Sequence, residues 1–204
     1  MKQVIVLRAI PGAGKTTLIS RLEKEYGHLA TICSADHYHY FGKEQIPDNY
    51  KFDIKNQKKA HESCRKSFSS ALKSHEQLIV VDNTNINFKD YVWYYREARK
   101  HEYNVVFHTI RGCSVEDSFK SNVHMVPKFV IENMLTKFVD TPAEIDGEPT
   151  DEVVYDFHEL RNFKNNSQPA IVYYPQPRIK PLKELRASDV PRGIDPDDLA
   201  NDQD

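Results

Sequence analysis

A chain of 204 residues, 39% hydrophobic and 28% charged, has the size of one ordinary domain plus a tail and enough apolar material for a core. That excludes a wholly disordered polymer. The formal net charge of −2 gives no general attraction to nucleic acid or membrane, although it leaves room for a local basic groove. Cys33, Cys64 and Cys113 are odd in number and widely spaced, which fits neither a disulfide framework nor a zinc site and points to a reducing compartment. The apolar opening QVIVLRAI is too short for a signal peptide, and no apolar run nears the ~20 residues of a membrane span, so the chain reads as soluble and cytoplasmic.

In chain order, residues 3–8 form a compact β-branched run that reads as a buried strand. KTTLISRLEKEYG follows as a helix, with Gly27 as its stop signal. LATICSAD (29–36) is a second short strand, and a polar loop runs from it to about residue 54. From residue 55 to 75 the pattern predicts a long amphipathic helix, with Ala60, Cys64, Phe68 and Leu72 four apart on one face. QLIVVD (77–82) is the most strand-like segment, residues 88–102 are helical, and YNVVFHT (103–109) is another strand. Two shorter helices follow, VEDSFKSN and PKFVIENMLTKF, the second with Pro127 at its start. Strands alternating with helices predict an α/β fold with a parallel sheet of four to five strands, the fifth being PAIVYYP (169–175) at an edge.

After about Val139 the composition changes. TPAEIDGEPTDE is acidic and loop-like, and the chain from residue 165 onward is rich in proline and ends in an acidic run. This divides the chain into a domain over 1–164 and a tail over 165–204, partly disordered. The tail's basic cluster, Arg178, Lys180, Lys183 and Arg186, reads first as a solvated segment and second as a phosphate contact.

The strand-to-helix turn RAIPGAGKTTL (8–18) has the residues of a phosphate-binding loop, except that Ala9 stands where the usual pattern has glycine. Such a loop turns consecutive backbone N–H groups inward around a phosphate, at a helix N-terminus that adds partial positive charge. Pro11, Gly12, Ala13, Gly14, Lys15, Thr16 and Thr17 are the predicted nucleotide contacts. Lys15 would neutralise the terminal phosphates and the Thr16 hydroxyl would bind Mg²⁺. Alanine is the smallest substitute for the opening glycine, whose main task is to let the chain leave the strand.

The strand end Val81-Asp82-Asn83-Thr84-Asn85 lacks the glutamate that positions water in motor ATPases, and neither N-K-x-D nor D-x-x-G is present to suggest a GTPase. Asp36, at the end of the second strand, favours a kinase. Ligands of open parallel sheets bind beyond the carboxyl ends of the strands, where an aspartate can accept the proton of an attacking hydroxyl. A turn-capping role is the bland alternative.

Taken in order, IPGAGKTT, SAD-x-Y, the AHESC helix, VVDNTN, the D-Y-V helix and NVHMVPKFVIENM resemble P-loop kinases of the polynucleotide-kinase type, over residues 3–139. The resemblance implies a P-loop NTPase three-layer sandwich with a helical lid over 111–139. It implies ATP and Mg²⁺ as cofactors, Asp36 as general base with Lys15 as the other catalytic residue, and Thr16 with Asp82 as metal ligands. It further implies transfer of the γ-phosphate to a hydroxyl, with a single-stranded DNA or RNA 5′ end as the best acceptor guess. The alternatives are a non-catalytic or weakly active ATP-binding module and a kinase of a nucleoside or other small molecule. Tyr38, His39, Asp82, Asn83, Asn85, Lys120, Asn122 and His124 are the acceptor and lid candidates. Two positions depart from the pattern: His39 and Ser121 stand where the family carries arginines. Arg111, Lys120 or Lys128 could take over the role of the missing arginine, and nothing in the sequence selects one of them. No membrane partner is expected.

Other features have plain readings beside the functional ones. Tyr91, Trp93, Tyr94 and Tyr95 suit core packing better than base stacking. His37 and His39 read as acceptor-pocket or exposed residues before metal ligands. Lys51, Lys55, Lys58 and Lys59 form a basic patch beside the acceptor side, a solvated face by default and a nucleic-acid contact by resemblance.

Overall fold

The computed structural model describes residues 2–26, 30–40 and 49–162. Five strands build one sheet: β1 (Gln3–Arg8), β2 (Thr31–Cys33), β3 (Leu78–Val81), β4 (Asn104–Arg111) and β7 (Asp151–Asp156). Their order is β2-β3-β1-β4-β7 and every pairing is parallel, with Val6 opposite Val81 on one side and Phe107 on the other. Parallel neighbours need crossovers, and helices supply them: α1 (Lys15–Tyr26), α2 (Gln57–Lys73), α3 (Phe88–Lys100), α4 (Val115–Ser121) and α5 (Lys128–Thr136).

Side-chain alternation along the strands makes two cores, one on each face of the sheet. Val4, Val6, Ile79, Val81 and Phe107 pack with Cys64, Phe68 and Leu72 of α2 and with Tyr91, Tyr94 and Tyr95 of α3. Ile5, Leu7, Leu78 and Val80 pack with Leu18, Ile19 and Leu22 of α1 and with Ile131 of α5. This is the predicted helix–sheet–helix sandwich. The four-residue spacing of Ala60, Cys64, Phe68 and Leu72 buries all four. The α3 tyrosines lie in the core, and only Trp93 of that aromatic run stays at its margin, beneath the Arg65 guanidinium.

The acidic stretch after residue 139 folds, contrary to its loop-like composition. Asp146 and Gly147, both at positive φ, form the tight turn between β5 (Glu144–Ile145) and β6 (Glu148–Pro149). The chain then enters β7, which pairs with β4 from Val106↔Asp151 to Arg111↔Asp156 and runs into α6 (Phe157–Asn162). The fifth strand of the sheet is therefore Asp151–Asp156; residues 169–175 lie outside the described residues, as does the rest of the tail.

A buried cation explains why so acidic a segment joins the sheet. Arg8, fully buried at the end of β1, donates to the carbonyls of Asn85 (3.0 Å) and Val139 (2.7 Å) and to Thr141 Oγ1. Its guanidinium lies 3.6 Å from Glu152, which also accepts from Thr141 (2.5 Å) and from Thr109. A buried charge is tolerated only when paired and fully hydrogen-bonded, and Glu152 provides the pairing.

Candidate active site

The loop between β1 and α1 is fastened before it is shaped. Ala9 N–H donates to the Thr84 carbonyl (3.0 Å), and the Ala9 methyl is fully buried, so the missing glycine has become a core contact. Gly12 and Gly14 adopt φ of +71° and +97°, where a side chain is disfavoured. At Gly12 space is the second constraint. A Cβ there would lie 2.4 Å from the Ser118 carbonyl oxygen of α4, whose hydroxyl donates to the Pro11 carbonyl (2.6 Å). Beyond the turn, Ala13 is buried while Thr16 and Thr17 are exposed at the start of α1, with Lys15 half-buried.

Asp82 follows β3 beside this loop. Its amide donates to the Cys33 carbonyl (2.9 Å), tying the ends of β2 and β3 together. Asp82 Oδ1 is buried without a hydrogen-bond partner among the described residues. Burial holds the carboxyl above its ordinary value; Lys15 acts in the opposite direction, and the nearby Asp36 reinforces burial. An orphaned, desolvated carboxylate oxygen that feels the charge of Lys15 fits a hard divalent cation bound together with phosphate oxygens. Thr16 and Asp82 would hold that ion, and Lys15 with the loop amides would hold the nucleotide phosphates. The bound ion would supply neutralisation of phosphate charge.

Asp36 opens a short 3₁₀ turn (Asp36–Tyr40) directly after β2. Asn83 Oδ1 accepts from the Ala35 amide (2.9 Å), and the Ser34 hydroxyl donates to the Asp82 carbonyl (2.8 Å), so the turn is pinned to the end of β3. The Asp36 side chain is 46% exposed, and both its oxygens face named groups. Tyr50 Oη donates to Oδ1 at 2.9 Å, while His124 Nε2 lies 3.6 Å from Oδ2. The rings of Tyr50 and His124 are 4.2 Å apart, which brings the loop between α4 and α5 against the turn that carries Asp36.

His124 and Asp36 are in contact, and the charges of Lys15, Asp36, His37 and His124 all act on the Asp82 carboxyl. Other candidates take different positions. His39 is buried against the rings of Tyr38, Tyr50 and Phe52, not exposed, and its Nδ1 has no hydrogen-bond partner among the described residues. Asn85 is buried at positive φ and donates to the Leu7 carbonyl (2.7 Å), which makes it a strand fastener rather than an acceptor contact. Asn122 organises its own loop, accepting from the His124 amide (3.1 Å) and donating to the Val126 carbonyl (2.9 Å). Of the three lid cations, Arg111 pairs with Asp140 (2.7 Å) and lies over Phe138, Lys128 pairs with Glu116 (2.5 Å), and Lys120 is exposed. Lys51, Lys55, Lys58 and Lys59 are all exposed, beside the exposed Phe52 and Ile54.

Sequence reasoning missed Tyr50, Ser118 and Arg8. Tyr50 lies fourteen positions after Asp36 in a polar segment without periodicity, and Ser118 looks like any helix serine. Arg8 had a usable signal, a lone arginine ending an otherwise apolar buried strand.

A parallel sheet with a glycine turn between β1 and α1, and acidic side chains at the ends of β2 and β3, defines a P-loop kinase-like nucleotide-binding fold. Residues 4–114 match the model of the AAA domain family, and the chain belongs to that family. Human (Homo sapiens) NEDD4-binding protein 2 is 30% identical over 145 residues, 68% of this chain; the chain spans 8% of the length of that relative. A kinase candidate from Chloroflexus aurantiacus J-10-fl superposes with a TM-score of 0.53 at 12% identity, covering 82% of this chain and 99% of that one. A structure of the PezAT toxin–antitoxin system of Streptococcus pneumoniae gives a TM-score of 0.52 at 17% identity, covering 85% and 70%. At these identities the structural likeness is one of fold. No described helix is long and apolar enough to cross a membrane.

Proposed function

We propose that the protein is an ATP- and Mg²⁺-dependent kinase whose general base is Asp36. The carrying observation is the placement of a half-exposed carboxylate at the end of β2, whose charge, like that of Lys15, acts on the orphaned Asp82. In the step, the acceptor oxygen bonds to the γ-phosphorus as the bond from that phosphorus to the β–γ bridging oxygen breaks. ADP leaves, and the hydroxyl proton passes to Asp36. Lys15 and the loop amides hold the phosphates while charge moves toward the bridging oxygen.

A polynucleotide 5′-hydroxyl is the favoured acceptor. The exposed lysines at 51, 55, 58 and 59, with Phe52 exposed among them, offer backbone neutralisation and a ring for stacking beside the Asp36 turn. Residues 1–164 would carry the activity and 165–204 would form a tail. A competition panel of 5′-hydroxyl oligonucleotides, nucleosides and small alcohols with labelled ATP tests the acceptor class; label entering nucleosides or alcohols in preference to oligonucleotides would reassign it. Asp36→Asn is expected to lower transfer ~10²–10⁴-fold with ATP affinity kept. Transfer at the wild-type rate would remove Asp36 from the role.

A second reading, a weakly active nucleotide-binding module, is favoured by the engagement of Arg111 with Asp140 and of Lys128 with Glu116. A transition-state cation contributes roughly 10³–10⁵ in rate to such enzymes. Single-turnover transfer faster than about 1 s⁻¹, the lower end for kinases, would dispose of this reading.

A further inference from the structure

We propose that Tyr50 is the positioning residue of Asp36: its hydroxyl fixes one carboxylate oxygen so that the other is presented to the acceptor hydroxyl. The inference rests on the kinase reading above and extends it to how the base is aimed. A carboxylate at the mouth of a site turns freely about its terminal torsion unless something holds it. At Asp36 the hold is one-sided. Oδ1 accepts from Tyr50 Oη at 2.9 Å, within normal hydrogen-bond range, whereas Oδ2 is 3.6 Å from His124 Nε2, beyond it. Among the described residues Oδ2 makes no hydrogen bond of its own and, beside His124, is the oxygen presented to an incoming hydroxyl.

Tyr50 is built to hold this position. The Lys51 amide donates to the His39 carbonyl (3.0 Å), which ties its segment to the turn that carries Asp36. Its ring contacts Tyr40 at 5.3 Å, His39 at 5.7 Å and His124 at 4.2 Å, so it has little freedom to swing away. Burial first, and the Asp36 charge second, push its phenol well above the ordinary range, so it stays protonated and donates at every working pH. Since Tyr50 keeps its proton, the proton of the acceptor goes to Oδ2 as the new oxygen–phosphorus bond forms. His124 stacks on the same ring from the lid loop, so the position of the lid and the aim of the base share one aromatic contact.

Tyr50→Phe keeps the ring and deletes only the donor. It is expected to lower kcat for phosphoryl transfer about tenfold, the scale of a hydrogen bond to a charged group, with KM for ATP and the thermal midpoint unchanged. In an Asp36→Asn background the same change should have no further effect. The Asp36 carboxyl carbon resonance should move in Tyr50→Phe. Wild-type kcat in the variant, or a loss of kcat matched by a rise in KM for ATP, overturns the proposal. If the wild-type protein phosphorylates no acceptor, the kinase reading falls separately. The carbon resonance then decides whether Tyr50 holds Asp36, and an unmoved signal overturns that hold.

Discussion

The glycine turn and the Asp36 cluster, to which we assign the phosphates and the acceptor, are built by opposite means. The phosphate end is nearly all local: residues 9–17 form it from backbone amides, two glycines at positive φ and one lysine. The Asp36 end is assembled from side chains: Tyr50, fourteen positions on, meets Asp36 through its own segment, and His124 reaches both from the loop between α4 and α5. A backbone device makes few demands on its side chains, and the Ala9 methyl is taken up by the core.

The largest expected effect falls at the local end. Lys15→Ala should reduce transfer more than ~10³-fold, because it removes the cation that the loop itself carries toward the terminal phosphates. Steady-state rates with saturating ATP check it, and a loss below tenfold would break the contrast between the two ends. Next comes Gly12→Ala, where strain at φ +71° adds to a 2.4 Å approach to the Ser118 carbonyl. A loss of about 2–3 kcal/mol is expected, read as a fall of about 5–10 °C in thermal midpoint. That outcome would sharpen the comparison by showing that the local loop is also anchored by α4.

A third effect belongs to neither end. His108 in β4 is buried against Tyr155, and burial lowers it to about 3 from an ordinary 6.5, with Arg21 adding to the shift. The unfolded chain therefore takes up a proton below about pH 6.5 that the folded chain refuses until about pH 3. Stability is full above pH 6.5 and drains as pH falls, at about 1.4 kcal/mol per unit, so roughly 2 kcal/mol by pH 5. Denaturant titrations of wild type and His108→Gln should converge toward acid if this sign is right. The smallest effect is at Asp82, whose raised carboxyl costs stability once ionised at neutral pH. Asp82→Asn should raise the thermal midpoint of the nucleotide-free protein while weakening Mg²⁺-dependent nucleotide binding. A midpoint that falls instead would mean that Lys15 already compensates the charge.

Legibility followed the same division. The first four strands in chain order, the face of α2 and the glycine turn were readable because period-2 and period-3.6 patterns and positive-φ turns are local in the chain. β7 was not, since its acidic sequence has meaning only beside Arg8, more than 140 positions earlier. Within the site, Asp36 and Asp82 could be placed from strand ends. His39 and Asn85 could not, because side-chain direction there depends on packing: one is walled in by aromatic rings and the other holds Leu7.

The sequence by itself determined a helix–sheet–helix sandwich with a triphosphate-type loop at Lys15 and acidic residues at the neighbouring strand ends. Only the tertiary structure decided which oxygen of Asp36 is held by Tyr50 and which faces His124, and that Arg8 recruits Glu152 into the sheet edge. It also decided that Gly12 is required by α4 as much as by phosphate. The reason is physical: backbone turns and hydrophobic periods are encoded within a few residues, whereas the pairing of buried charges and the aim of a carboxylate depend on groups that meet only after folding.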